Sequence, residues 1–457
     1  MTYAPVARLS TVRFVLAIAA AFGLGPHQMD VKTAFLNAPV AEEIYLEIPA
    51  GYIPTLRAEA GKKIVLKLKR SLYGLRQAPR NWNEEMVRFL KGLGLTQSQT
   101  DKCLFFERND RGMFLFLVLF VDDILLVCND SGRLHEVKEA LKQQYEMTDI
   151  GEVSEFLGME LTFGTGFIHV SQKSYIEKVA ERFGLTEAYP VATPFDMGLE
   201  ITKATKSDKT PDQGEYRAMV GSILYAAMVS RPDVAFHVMT LSKYLSCPTM
   251  EMFHAARRVI RYLRGTSRLG LKYIRLEDPE ACMRRLDLWV DSDWAKDLDT
   301  ARSAYGYSVM FCGSPIAWSS KSQLSVAKSS VEAEYVALSE AAAELLYMKF
   351  LLVETWGGGN GNRIDLKILS DSKGALDLTE HPVHHGRTKH INVKYHFVRE
   401  RVETGEIKIQ HVPTEIQTAD IFTKPLPGPR HRLLRQKLLS ELPAEDGDDA
   451  GIEAKEG

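Results

Sequence analysis

Met113–Cys128 reads M-F-L-F-L-V-L-F-V-D-D-I-L-L-V-C, an apolar run broken by two adjacent acids, Asp122 and Asp123. Such a run is the pattern of strands buried on both faces. Carboxylates in its middle are costly to bury unless something cationic compensates them. The stretch is therefore expected to form a β-hairpin with the acid pair at its turn, pointing into a site that holds metal ions. The competing reading is a plain surface turn, since Asp is a common turn residue. Turns between apolar strands favour Asn-Gly or Asp-Gly, and this one has neither.

Outward from that stretch, the 457 residues are too many for one ordinary core and imply two to four domains. With 45% hydrophobic and 25% charged residues the composition is that of a globular protein. The formal net charge of −2 gives no basic signature, so any nucleic-acid binding must come from local clusters of Lys and Arg. The five cysteines (Cys103, Cys128, Cys247, Cys282 and Cys312) are scattered with no C-x-x-C pair, which argues for reduced thiols and against disulfides or structural zinc. No apolar run reaches the length of a membrane span, so no membrane partner is expected. Val12–Gly25 imitates a signal-peptide core, but its apolar residues recur at helical spacing and predict a packed amphipathic helix.

Upstream of the hairpin, residues 27–36 read as a strand carrying Asp30 at its end, and residues 82–92 as a helix. Downstream, residues 134–145 and 171–183 read as helices flanking paired strands. Residues 186–213, rich in Pro, Thr, Lys and Asp, look like a linker. Residues 214–265 read as consecutive helices, the third carrying Arg257, Arg258, Arg261 and Arg264. That basic face either tracks a phosphate backbone or is a solvated helix surface.

From residue 286 a strand ending at Asp291 opens a three-stranded meander. A long helix follows, then a strand ending at Asp371, a helix, another strand, and a helix over 416–439 containing Asp420. Antiparallel strands followed by alternating helix and strand predict an α/β domain with a mixed sheet. Residues 443–457 form an acidic tail expected to be disordered.

Two acid constellations emerge. Asp30, Asp122 and Asp123 at strand ends make a ligand set for two hard divalent cations, which prefer oxygen ligands. Asp291, Glu334, Asp371 and Asp420 make a second such set, suited to phosphodiester cleavage. Asp291 is preferred over Asp293, and Glu334 over Glu332, which points elsewhere on its helix. His411 falls in a strand, and no catalytic histidine is assigned. His384, His385, His390 and His396 have loose metal-like spacing but no accompanying cysteine, and Gly447-Asp448-Asp449 lacks apolar flanks.

Three stretches, Gln28-Met29-Asp30-Val31-Lys32-Thr33-Ala34-Phe35-Leu36-Asn37, the run from Ser71 to Trp82, and Phe120-Val121-Asp122-Asp123-Ile124-Leu125-Leu126, resemble in order the motifs of copia-type retrotransposon reverse transcriptases. Tyr216–Tyr225, Arg231-Pro232-Asp233 and Arg261–Thr266 extend the likeness, as do Lys389-His390-Ile391 and His396–Glu400 in an RNase H-like portion. The resemblance implies an α+β and α/β multidomain chain. Residues 1–185 would be the palm and thumb of a right-hand polymerase with incomplete fingers, 186–280 a linker and helical connection, and 281–442 an RNase H-like mixed-sheet domain.

The resemblance further implies that Asp30, Asp122 and Asp123 bind the polymerase metals, and that Phe35 is a steric gate against ribose. Arg76, Gln77 and Arg80 would line the nucleotide and template pocket, with Gly158 and Met159 in the primer-grip hairpin. Mg²⁺ is the implied cofactor, two ions per site, with Mn²⁺ the alternative. Implied partners are an RNA template, a DNA primer, dNTPs, RNA–DNA hybrid and other retroelement polyprotein products, in the cytoplasm within a virus-like particle, or in the nucleus. Phe120 stands where the family has Tyr. The chain opens midway through the family's fingers, without the basic segment that holds the triphosphate, which sets polymerase activity against an alternative: a truncated or domesticated product that binds nucleic acid without polymerising.

Overall fold

The computed structural model describes residues 3–52, 63–205, 209–357, 364–380 and 397–442. His384, His385, His390, His396 and the 443–457 tail with Gly447-Asp448-Asp449 lie outside the described residues. The chain forms two compact units, one of residues 1–15, 24–153 and 354–356, the other of 16–23, 154–353 and 357–457. The expected domain boundaries at 185 and 280 both fall within the second unit.

The first unit is built on a six-stranded antiparallel sheet. Phe114–Phe120 and Asp123–Cys128 are neighbours in its middle and are buried along almost their whole length, as their apolar sequence requires. Phe120 pairs with Asp123, which leaves Val121 and Asp122 as a two-residue turn. Val121 has φ 58°, a left-handed conformation that two-residue hairpin turns need and that a β-branched residue adopts only under strain. The indole N–H of Trp82 donates to the Val121 carbonyl at 2.6 Å and helps hold the turn. The helix Ala78–Gly92 buries Ala78, Trp82, Met86 and Leu90, one residue per turn, against the sheet's core. Ser131–Gln144 adds Val137 and Leu141 to the same core.

The helix Leu9–Phe22 departs from expectation. Val12, Phe14, Val15, Leu16, Ile18, Ala19 and Ala21 are all completely or almost completely enclosed, so it is a helix buried on most sides and not an amphipathic one.

In the second unit, Leu269–Ile274 pairs with Phe167–Ser171, which pairs in turn with Met159–Gly164. The helices Gln213–Val229, Ala235–Ser242 and Met250–Gly265 form an apolar cluster with Lys173–Arg182. The arginines of Met250–Gly265 are engaged by the chain itself. Arg257 donates to the Phe183 carbonyl, Arg261 to that of Tyr189 and Arg264 to that of Ala188, while Arg258 pairs with Asp196 at 2.8 Å. Residues 183–196, which run into the expected linker at residue 186, are thus strapped to this helix. Each of the four guanidiniums spends part of its hydrogen-bonding capacity on the chain itself, on backbone carbonyls or Asp196.

The last sheet has the strand order Ser314–Ser322, Ala304–Phe311, Arg285–Asp293, Asp365–Ser370, Ile407–His411. Its first three strands are antiparallel and the last two join in parallel, the expected mixed sheet. The helix Ser330–Trp356 follows the meander. The expected helix over 416–439 is not one element. Thr418–Phe422 is a short 3₁₀ helix, and an α-helix forms only at Gly428–Gln436. Pro425 and Pro427 explain the break, since proline inside a helix removes a donor and clashes with the preceding turn. Among the described residues all five cysteines are free, and no helix is long and apolar enough to cross a membrane.

Candidate active sites

The strand His27–Val31 lies between Asp123–Cys128 and Met147–Glu152, and Asp30 is directly opposite Asp123. The Val31 N–H donates to the Asp122 carbonyl at 2.9 Å, so the three acids gather at one end of the central strands. Like charges directly opposed across strands repel. Burial pushes the Asp123 carboxyl up, and Asp122 and Asp30 push it further, against the amide of Gln28, which donates to Oδ1 at 3.0 Å. The Phe35 ring packs on Tyr73 with centroids 4.6 Å apart. Burial raises the Tyr73 phenol, and the charges of Asp122 and Asp30 add to the effect.

Other expected residues are placed differently. Gln77 precedes the helix Ala78–Gly92 and makes no capping hydrogen bond with its side chain. Arg76 is exposed, and Arg80 pairs with Glu84 at 2.7 Å. Gly158 lies at φ 69°, where a Cβ would come within 2.2 Å of the Tyr225 hydroxyl. Met159 is fully buried, so its side chain serves the core and offers nothing to a substrate. Both belong to the second unit.

The second constellation is tighter. Asp291 lies on the strand Arg285–Asp293, Glu334 on the helix Ser330–Trp356, and Asp371 just after Asp365–Ser370. Each of the three offers a carboxylate oxygen, and these all lie within 4.8 Å of one another. Among the described residues no comparable convergence occurs at Asp30, Asp122 and Asp123, where Asp123 is turned to Gln28. Glu332 bonds the Lys328 N–H at 2.8 Å and closes the start of the helix instead of facing the site. Burial raises the Asp291 carboxyl to about 7, with Lys424 opposing and Asp420 and Asp371 adding to the rise. Burial likewise holds Glu334 well above its ordinary range, reinforced by Asp291 and Asp371. Oε2 of Glu334 is buried with no hydrogen-bond partner among the described residues. Three converging carboxylates, one with an orphaned buried oxygen, fit a hard divalent cation.

Asp420 is buried next to this trio but held differently, by Lys424 at 2.7 Å on Oδ1 and by Arg430 on Oδ2. Thr423 donates its hydroxyl to Asp291 Oδ2, and Thr414 donates to Asp371 Oδ2 at 2.7 Å. Sequence reasoning did not single out Gln28, Tyr73, Thr414, Thr423, Lys424 or Arg430. Lys424, four residues after Asp420, carried the one local signal, an acid–base i,i+4 pair.

The paired-acid hairpin in an antiparallel sheet fits a reverse transcriptase domain, followed along the chain by a mixed α/β sheet that bears the second acid cluster. The family model "Reverse transcriptase (RNA-dependent DNA polymerase)" matches residues 1–197. The chain belongs to the Pol polyproteins of copia-type retrotransposons. It is 36% identical over 442 residues to the retrovirus-related Pol polyprotein from transposon TNT 1-94 of Nicotiana tabacum, an alignment covering 95% of this chain and 32% of that one. It is 36% identical to the polyprotein from transposon RE2 of Arabidopsis thaliana, covering 93% and 28%. A transposon Ty5-1 protein of Saccharomyces cerevisiae is 32% identical over 319 residues, 69% of this chain and 100% of that one. The chain thus spans about a third of the length of the first two relatives. Among solved structures, an RNase H1 isolated from compost is 17% identical and covers 31% of this chain and 93% of its own, with a TM-score of 0.24.

Proposed function

We propose that this chain carries the polymerase and nuclease portions of a copia-type Pol polyprotein. In this reading the first unit copies RNA or DNA into DNA from a primer and dNTPs, with Asp30, Asp122 and Asp123 in the palm as metal ligands. Phe35, packed on Tyr73, would then screen the sugar of the incoming nucleotide. The second unit would cleave the RNA strand of an RNA–DNA hybrid at Asp291, Glu334 and Asp371, with Asp420 alongside. Divalent cations, Mg²⁺ or Mn²⁺, would polarise the phosphate and lower the pKa of the attacking oxygen at both sites.

The chain's own residues do the positioning. Thr423 and Thr414 fix the carboxylates of Asp291 and Asp371 by hydroxyl hydrogen bonds. Partners that orient ligating carboxylates in this way govern both metal affinity and activity. The strand pairing of Asp30 with Asp123, and the strained Val121 turn, fix the polymerase acids.

The observation that carries the reading is the convergence of Asp291, Glu334 and Asp371 around an unpartnered buried oxygen. The test is the Asp371→Asn protein in Mg²⁺. It is expected to lose hybrid cleavage while binding hybrid as before; cleavage that persists refutes the assignment. Primer extension by the same preparations tests the polymerase half, and hybrid binding with neither activity would favour a nucleic-acid-binding product that does not polymerise.

A further inference from the structure

The nuclease-like site holds two places for positive charge, and the protein itself fills one of them. Asp291, Glu334 and Asp371 enclose the first, where Oε2 of Glu334 is buried without a hydrogen-bond partner among the described residues. The second lies between Asp291 and Asp420. There the ammonium of Lys424 stands 2.7 Å from Asp420 Oδ1 and 3.5 Å from Asp291 Oδ2. The other oxygen of Asp420 is taken by the guanidinium of Arg430. Asp420 is therefore ion-paired to two cationic side chains, with a hydrogen bond from Arg430 on Oδ2, while its Oδ1 meets the Lys424 ammonium as an ion pair without hydrogen-bond geometry.

The ammonium is held in place from the backbone. The Lys424 N–H donates to the Asp420 carbonyl at 3.3 Å, and Pro425 restricts the residue before it. Phe422, in the same turn, packs against Gly306, where even a Cβ would find no room.

Formal charge points the same way. With an ion bound and all four carboxylates ionised, Lys424 and Arg430 leave two negative charges, which one divalent ion neutralises. At the rim, burial raises the Asp293 carboxyl, with the charges of Lys296 and Lys424 opposing and Asp420 adding to the rise.

We propose that Lys424 is the resident cation of this site, so that the protein free of nucleic acid binds one divalent ion there, at Asp291, Glu334 and Asp371, and not two. Lys424 is thereby a positioning residue that keeps Asp420 and Asp291 oriented while no ion lies between them. The inference rests on the nuclease reading above, but it concerns how the site is charged, not what it cleaves.

The experiment is Mn²⁺ binding to the full chain without nucleic acid. Electron paramagnetic resonance and calorimetry give the stoichiometry, in an Asp122→Asn/Asp123→Asn background that silences the other acid set. One ion is expected for the parent, one for Lys424→Arg, two for Lys424→Met and none for Asp371→Asn. The Lys424→Met protein should also melt lower than the parent in EDTA and recover more of its Tm on adding Mn²⁺, whereas loss of a purely structural lysine would leave that recovery unchanged. Two ions in the parent, or one in a folded Lys424→Met protein, overturns the inference and leaves the nuclease reading standing. Absence of binding to the parent and to Lys424→Met alike overturns both.

Discussion

Substituting Asp233 by Asn should unfold the second unit more readily than any single change at its surface. Arg231 and Asp233 are both fully buried, and the guanidinium grips the carboxylate at 2.9 and 2.7 Å. The Tyr262 hydroxyl adds a third bond at 2.6 Å. Burial alone would raise the Asp233 carboxyl, yet the charge and hydrogen bonds of Arg231 bring it down to about 2. The fall from 3.8 to about 2 is worth about 2 kcal/mol, at 1.36 kcal/mol per pH unit. That contribution is present above pH 3.8 and disappears as the pH falls to 2, because the unfolded chain takes up the proton first. Asparagine keeps the shape but leaves the Arg231 guanidinium buried without a counter-charge, a loss of about 3–5 kcal/mol.

Urea unfolding at pH 7, followed by tryptophan fluorescence, measures the loss. Trp318 is a suitable reporter, because its indole N–H bonds the Ala227 carbonyl just ahead of Arg231. A decrease below about 1 kcal/mol with an unchanged m-value would falsify the claim that the substitution leaves Arg231 buried without a counter-charge. Tyr262→Phe should cost less, about 1.5–3 kcal/mol, the worth of one hydrogen bond to a charged group.

Further outcomes follow from the same contacts. Thr423→Val removes the hydroxyl donated to Asp291 at almost constant volume, and hybrid cleavage should fall about 10–100-fold with hybrid affinity preserved; undiminished cleavage would show that Asp291 does not need this partner. Gly306→Ala should lower both Tm and cleavage, at a cost of about 1–3 kcal/mol, because its Cβ would lie 2.2 Å from the Cβ of Phe422 in the turn that carries Asp420. Unchanged melting would contradict that close approach. Burial lowers the His431 imidazole to about 4 from 6.5, so stability should decline as pH drops from 6.5 to 4, by about 3 kcal/mol in all. His431→Leu should flatten that part of the pH–stability curve, and a parallel curve would refute the assignment.

What the sequence disclosed and what it withheld divide along a physical line. The hairpin at 114–128 and the meander after residue 285 were readable because strand burial writes itself into local apolar patterning. Asp371, just past its strand, followed from the same patterning, whereas the strand expected to end at Asp291 runs on to Asp293 and pairs Asp291 with Gly306. The end of the chain was misread where a local rule was available: Pro425 and Pro427 already forbid one helix through Asp420. The four arginines of Met250–Gly265 were a different problem. Their spacing suited a phosphate track, and nothing nearby in sequence indicated that the carbonyls of 183–189 and Asp196, some 60 to 76 residues earlier, would each engage one of them. Lys424 combines both cases. Its i,i+4 relation to Asp420 is local and legible, but the contact that gives it a role, to Asp291 on a strand 133 positions away, exists only after the sheet has formed. Acid clusters are legible as ligand sets because their residue types are rare in apolar strands. The cations that complete them are common surface residues, and only packing distinguishes the one that has been buried for use.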